Sequence, residues 1–219
     1  MKYNFYKKSK SLASLVIVTM ALSFASCNKS IDIFDLDINT DPNNPTKGTA
    51  ELLLPEAQRN MAGFMQGLNN TQMGFLGVLS SSDSYGLGAN SFYGSWSNFY
   101  TGPGKDLEEV IIASKLKDNK PYLGIAQALK AYSFSTMVDL FGTVPFKEAF
   151  LGNSANININ PKFDDGKVIY AECYKLLDSA IFNLTASSPY TVTGDIMYGG
   201  SKASWIRFAN TVRLRMLIT

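Results

Sequence analysis

Residues 118–146 read DNKPYLGIAQALKAYSFSTMVDLFGTVPF, and this stretch decides the fold class. Asp118 or Asn119 supplies an N-cap, and Pro121 suits the first turn, where its missing N–H would have been unpaired anyway. Ile125, Leu129, Tyr132, Thr136 and Leu140 then recur at three- and four-residue spacing, the period of one face of an α-helix. Ala126, Ala128 and Ala131 allow a neighbouring helix to come close. Gly142 ends the helix, and Val144-Pro145 prevents it from continuing.

The same texture extends in both directions. Upstream, Leu107, Val110, Ile111 and Ser114 keep helical spacing. Before them Pro55 reads as a first-turn residue, followed by Ala57, Met61, Phe64, Met65 and Leu68. A weaker apolar patch covers Met73, Phe75, Leu76 and Val78, interrupted by Gly74 and Gly77. Downstream, 151–161 is a polar, Asn-rich surface loop. Asp164 and Asp165 are placed to cap a helix carrying Ile169, Cys173, Leu176, Leu177, Ala180, Ile181 and Leu184. Pro189 to Gly200 is turn-rich, and a last helix carries Trp205, Phe208, Ala209, Val212 and Met216. Beyond Ile157 to Ile159 there is no useful strand-like alternation. The expectation is therefore an all-α fold of antiparallel helix pairs with long loops. The pairs do not align to a strict period of about 34 residues, so periodicity alone does not establish tetratricopeptide repeats. The last helix reaches Ile218-Thr219 with no C-cap or polar tail, which reads as the front part of a larger protein.

The chain has 219 residues, 46% apolar, 12% aromatic and 17% charged, with a net charge of +2, no histidine and two cysteines. Without histidine, Ser-His-Asp and Cys-His catalysis and imidazole-ligated zinc are excluded. Two cysteines make neither a disulfide framework nor a thiolate cluster. A balance this near neutral, with no basic block after the first ten residues, argues against nucleic-acid binding.

The basic excess lies in the first 26 residues. Lys2, Lys7, Lys8 and Lys10 form a positive region, Leu12 to Phe24 is apolar, and Ala25-Ser26 leads into Cys27. The apolar run is shorter than the roughly 20 residues a membrane span needs, so residues 1–26 read as a lipoprotein signal peptide with Cys27 as the lipidation site. A thioether-linked diacylglyceryl group with an amide-linked acyl chain would meet the two-signal requirement for stable anchoring. Loss of the leader takes four lysines and no acid, leaving 16 basic against 18 acidic residues, a charge of −2. Cys173, inside a helical apolar pattern, reads as a small buried hydrophobe. Residues 27–48 alternate acidic and apolar positions before the turn formers of Asp41-Pro42-Asn43-Asn44-Pro45, the pattern of a tether that becomes a docking loop. Residues 49–219 hold the helical domain. Asp41, Asn43 and Asn44 fall far short of the six to eight oxygens that calcium requires, so no metal or cofactor is expected.

Three stretches together resemble one family. Asn39-Thr40-Asp41-Pro42-Asn43-Asn44-Pro45 behind a lipidated cysteine, Ala128-Leu129-Lys130-Ala131-Tyr132 running into Asp139-Leu140-Phe141-Gly142-Thr143-Val144-Pro145-Phe146, and Trp205 to Arg215 resemble the SusD/RagB-like outer-membrane nutrient-binding lipoproteins, in the branch that opens with NTDPNNP. The resemblance implies an all-α fold of tetratricopeptide-like helix pairs, lipid-anchored in the outer membrane and facing the cell exterior. It also implies a role as lid over a SusC-like TonB-dependent transporter, capturing glycans, oligosaccharides or sometimes peptides for import. Members of the family are longer, so the resemblance covers this chain as an N-terminal half.

The polar, glycine-rich stretch 80–104 reads as a loop unusually dense in aromatics. Sugars bind by stacking C–H faces on rings and by hydrogen bonds to hydroxyls, so Tyr85, Tyr93, Trp96 and Tyr100 are candidate platforms, with Asp83, Asn90 and Asn98 as polar partners. Trp96 and Tyr100, at i and i+4, equally fit the buried face of a short helix over Phe92 and Phe99. Trp205 reads as core. The pairs Glu108-Glu109 and Asp164-Asp165 diverge on a helix, whereas glycosidase carboxyls face each other about 5–9.5 Å apart. They read as helix-start charges on a solvated face, and no enzymatic activity is expected. A scaffold lipoprotein without a small ligand, or a non-functional remnant, is the alternative.

Overall fold

The computed structural model describes residues 48–78, 86, 88, 90–153 and 157–219. Among them are six α-helices: α1 (Ala50–Phe75), α2 (Tyr93–Thr101), α3 (Pro103–Leu116), α4 (Lys120–Phe141), α5 (Gly166–Thr185) and α6 (Lys202–Ile218), with a 3-10 turn at Leu151–Asn153. The only β-type pairing in the described residues is an isolated antiparallel bridge between Val144 and Asp164. The all-α expectation holds. No described helix is long and apolar enough to cross a membrane. The expected leader and nearly all of the tether lie outside the described residues.

Helix α4 is central. Fourteen of its 22 residues are buried, including Tyr122, Ile125, Leu129, Phe134 and Met137. A single apolar stripe was expected, but Ala126, Ala128, Ala131, Ser133 and Ser135 are buried too, so neighbours cover almost its whole circumference. Burying each large apolar side chain contributes about 1.5–3 kcal/mol relative to leaving it exposed. Ser133 and Ser135 are tolerated because their hydroxyls donate to backbone carbonyls one turn back, at Leu129 and Tyr132.

The largest helix interface joins α4 to α5. Tyr170, at the start of α5, donates to Asp139 near the end of α4. At the opposite ends Asn183 donates to Gln127 at 2.9 Å, so the two helices run antiparallel. The helices approach closely at Gly124, where a Cβ would lie 2.9 Å from the Ala180 carbonyl oxygen and 2.7 Å from Leu184 Cγ. The alanines were expected to give this approach, and a glycine provides it. Gly142 caps α4 at φ 75, a left-handed geometry that glycine adopts without steric cost.

Several boundaries differ from the sequence reading. Helix α1 begins at Ala50, placing Pro55 inside it. The stretch 93–101, expected to be loop, is helical because Phe99 is fully buried against Phe64 and Phe134 at ring distances of 5.4 and 5.0 Å. Tertiary burial outweighs the poor helix propensity of its serines and glycine. Asn119 is the N-cap residue of α4 but its side chain does not cap, and Nδ2 instead donates to Glu51 of α1 at 3.2 Å. Asp165 caps α5 as expected, accepting from the Lys167 N–H. Asp164 turns away and accepts from the Phe146 and Lys147 N–H groups, pinning the chain after α4 to the approach to α5. Glu108 and Glu109 are not helix-start charges. They lie within α3 and pair with Lys130 and Lys105, each at 2.5 Å.

Candidate ligand-binding cleft

Helix α2 presents Tyr93, Trp96, Ser97, Tyr100 and Thr101 along one face, at i, i+3, i+4, i+7 and i+8. Pro145, Ala149, Phe150 and Pro161 form the opposite wall of a cleft of about 400 Å³. The size and the mixture of rings with a few hydroxyls suit a small organic ligand.

Each ring is held differently. Tyr93 is 73% exposed at the mouth. Trp96 is half-buried, edge-on to Phe141 at 5.0 Å and nearly parallel to Phe163 at 5.8 Å, with Tyr100 tilted against it at 5.2 Å. Tyr100 donates its hydroxyl to the Pro145 carbonyl at 2.8 Å. Burial first, and then the nearby Asp164 carboxylate, raise the Tyr100 hydroxyl's pKa above its ordinary value, so it stays a neutral donor. The wall residue Phe150 has φ 65, a left-handed conformation unusual outside glycine and asparagine. Its ring is seated over Gly104, where a Cβ would come within 2.6 Å of it. This contact continues through Tyr100, 5.8 Å from Phe150.

Of the five aromatic and amide candidates, the fold brings Tyr93, Trp96 and Tyr100 together. Asn98 is exposed but does not line the cleft, and its Oδ1 lies beside Gly102. Asn90 is exposed in the turn before α2. Tyr85, Asp83 and Cys27, the expected lipidation site, lie outside the described residues, as do Asp41, Asn43 and Asn44. The second wall was missed from sequence, because Pro145, Ala149, Phe150 and Pro161 carry no binding signal and meet α2 through tertiary contacts such as the Tyr100–Pro145 hydrogen bond and the Phe150–Tyr100 ring pair. No cluster of potential metal ligands occurs among the described residues. Cys173 is buried at the α4–α5 interface, and burial pushes its thiol up to about 12. Trp205 is fully buried, as expected for core.

A family model described as SusD-like, starch-binding and associating with the outer membrane, matches residues 42–219. Among solved structures, a SusD/RagB family protein from Bacteroides thetaiotaomicron is similar at a TM-score of 0.64 and 20% identity, over 78% of this chain and 38% of that protein. A chitin-binding SusD homolog from Flavobacterium johnsoniae is similar at a TM-score of 0.50 and 26% identity, over 59% of this chain and 27% of that one. A SusD homolog from Bacteroides vulgatus gives 0.50 and 19%, over 60% and 27%. The likenesses at 20% and 19% identity speak for the fold alone. No curated protein sequence matches the chain. The chain therefore corresponds to well under half the length of each of these structures.

Proposed function

This chain belongs to the SusD-like family, and from that premise we propose that it captures glycan or oligosaccharide nutrients, or peptides, and hands them to a SusC-like TonB-dependent transporter without transforming them. The protein is held in the outer membrane by lipid on Cys27 and faces the cell exterior. Tyr93, Trp96 and Tyr100 form the stacking surface of the ligand site.

The observation that carries this reading is the ring-lined cleft on α2. Its lining of tyrosine, tryptophan, serine, threonine and apolar side chains suits holding a hydroxylated ring by stacking and hydrogen bonding. The match to a family described as starch-binding and the likeness to a chitin-binding SusD homolog support a sugar as the ligand class.

The test is a fluorescence titration of the full chain with maltoheptaose and chitohexaose. Only Trp96 and Trp205 contribute, and Trp205 is fully buried, so a ligand-induced change reports Trp96. A saturable change that disappears in Tyr93→Ala, which keeps the Trp96 reporter, supports the cleft, and binding to Trp96→Ala is followed by calorimetry instead. Saturable binding undiminished in both Tyr93→Ala and Trp96→Ala overturns it. For the partner, the protein is purified from detergent-solubilised outer membranes, and absence of any co-purifying barrel overturns the transporter assignment.

A further inference from the structure

On a different face of the molecule, α1, α4 and α6 enclose a second cleft of about 510 Å³. One wall carries three primary amides, Gln66, Asn69 and Gln72, which follow an i, i+3, i+6 row on α1 and extend about 9 Å along its axis. All three are exposed, and none of their side-chain amides hydrogen-bonds to another described residue. The facing wall carries Tyr132 and Thr136 of α4 and Arg215 of α6.

That facing wall is built by specific contacts. The Arg215 guanidinium lies over the Tyr132 ring at 5.5 Å, with one nitrogen donating to Thr136 Oγ1 at 3.1 Å and another to Asp139 at 2.6 Å. Phe208 supports Tyr132 from the side at 5.6 Å. Two of the five guanidinium N–H donors are thereby used, and the rest remain available. Asp139, just outside the lining, balances the charge of Arg215, and among the described residues Arg215 is the one charged side chain that lines the cleft. The ligand the cleft would take is therefore uncharged, with donor and acceptor groups spaced along its length and a face that packs on Tyr132.

We infer that this amide-lined cleft is a second binding site, for a neutral oligosaccharide. Each amide both donates and accepts, which matches pairs of neighbouring hydroxyls on a sugar ring. A carboxylate-bearing ligand is disfavoured because Asp139 already neutralises the arginine. The identity of the ligand as a sugar rests on the function proposed above, whereas the donor set and its neutrality are independent of it.

The test is an NMR titration of the full chain with maltoheptaose, chitohexaose and tetragalacturonate. The Trp96 indole N–H reports the α2 cleft, and the side-chain amides of Gln66, Asn69 and Gln72 report this one. The expected result is a saturable shift of these amides with a neutral probe, retained in Trp96→Ala. In the triple variant Q66A/N69A/Q72A, affinity at this cleft, followed through the Met65 methyl signal, falls at least tenfold while the Trp96 response persists. That persistence also shows the variant to be folded. A response of Trp96 with none from the amides overturns the second site and leaves the first intact. Amide shifts with tetragalacturonate alone overturn the neutral class, and no response from either reporter overturns both sites.

Discussion

Asp195 accepts the indole N–H of Trp205 at 2.7 Å, joining a turn-rich loop to the core of α6. The same carboxylate accepts from Gln58 of α1 at 2.7 Å and from the Met197, Tyr198 and Gly200 backbone N–H groups. Gln58 returns the contact by accepting from the Ile196 N–H at 2.9 Å. Residues far apart in the chain are thus tied through one buried acid, and the buried Gln58 and Trp205 donors would otherwise be left unpaired away from water.

Replacing Asp195 by alanine strands two buried donors, those of Gln58 and Trp205, and the expected loss is about 2–4 kcal/mol, since each unsatisfied group costs about 1–3 kcal/mol and neighbours relax in part. Urea unfolding of D195A measures it. An unchanged midpoint would show that the clip contributes nothing.

The pH dependence follows from the same group. Burial works to raise the Asp195 pKa, but hydrogen bonds from Trp205, Gln58, Gly200 and Met197 outweigh it and hold the carboxyl below the ordinary aspartate value. A depressed pKa gives stability that is present above the unfolded-state value of about 3.9 and lost as pH falls through the folded one. Thermal unfolding of the wild type is expected to lose stability more steeply than D195A as pH is lowered below about 4. Parallel profiles would rule this out.

Gly124→Ala places a methyl group 2.9 Å from the Ala180 carbonyl, where backbone cannot yield cheaply. Overpacking of this kind costs about 1–3 kcal/mol despite the better helix propensity of alanine. Chemical denaturation decides the sign, and a stabilised variant would mean that α4 and α5 separate more readily than their contact implies.

In the ring-lined cleft, Trp96→Ala is expected to weaken oligosaccharide binding at least about tenfold, the scale of an aromatic hot spot. Asn98→Ala, off the cleft, should change affinity less than about twofold. Calorimetric titration with chitohexaose separates these, and equal losses in the two variants would move the site to the other side of α2.

Cys173 should resist thiol reagents in the folded protein, because burial raises its pKa and excludes the reagent. With Cys27→Ser as background, a disulfide reagent at pH 8 should label no thiol until urea is added, and then one. Rapid labelling without urea would show that the α4–α5 interface opens. In cells, Cys27→Ser should also abolish incorporation of labelled palmitate and release the protein from membranes.

Helix α4 was legible in residues 118–146 because Pro121 and Gly142 mark its ends chemically and apolar residues lie between at helical spacing. Helix α5 was legible for similar reasons, down to the Asp165 cap. Helix α2 was not, since Ser95, Ser97 and Gly94 carry loop propensity and only the burial of Phe99 among rings from α1 and α4 makes the segment helical. The aromatic candidates Tyr93, Trp96 and Tyr100 were visible by composition. Their grouping on one face, and the absence of Asn98 from it, depended on the helix that composition concealed.

Local chemistry thus determined the all-α class, the main helices and the aromatic stock of the first cleft, because caps, breakers and periodicity act over a few residues. Tertiary structure decided which side chains face one another. Phe150 meets Gly104, Asp195 meets Gln58 and Trp205, and the α1 amides line one cleft with Tyr132 and Arg215, pairings of residues distant in the chain that no short-range pattern encodes.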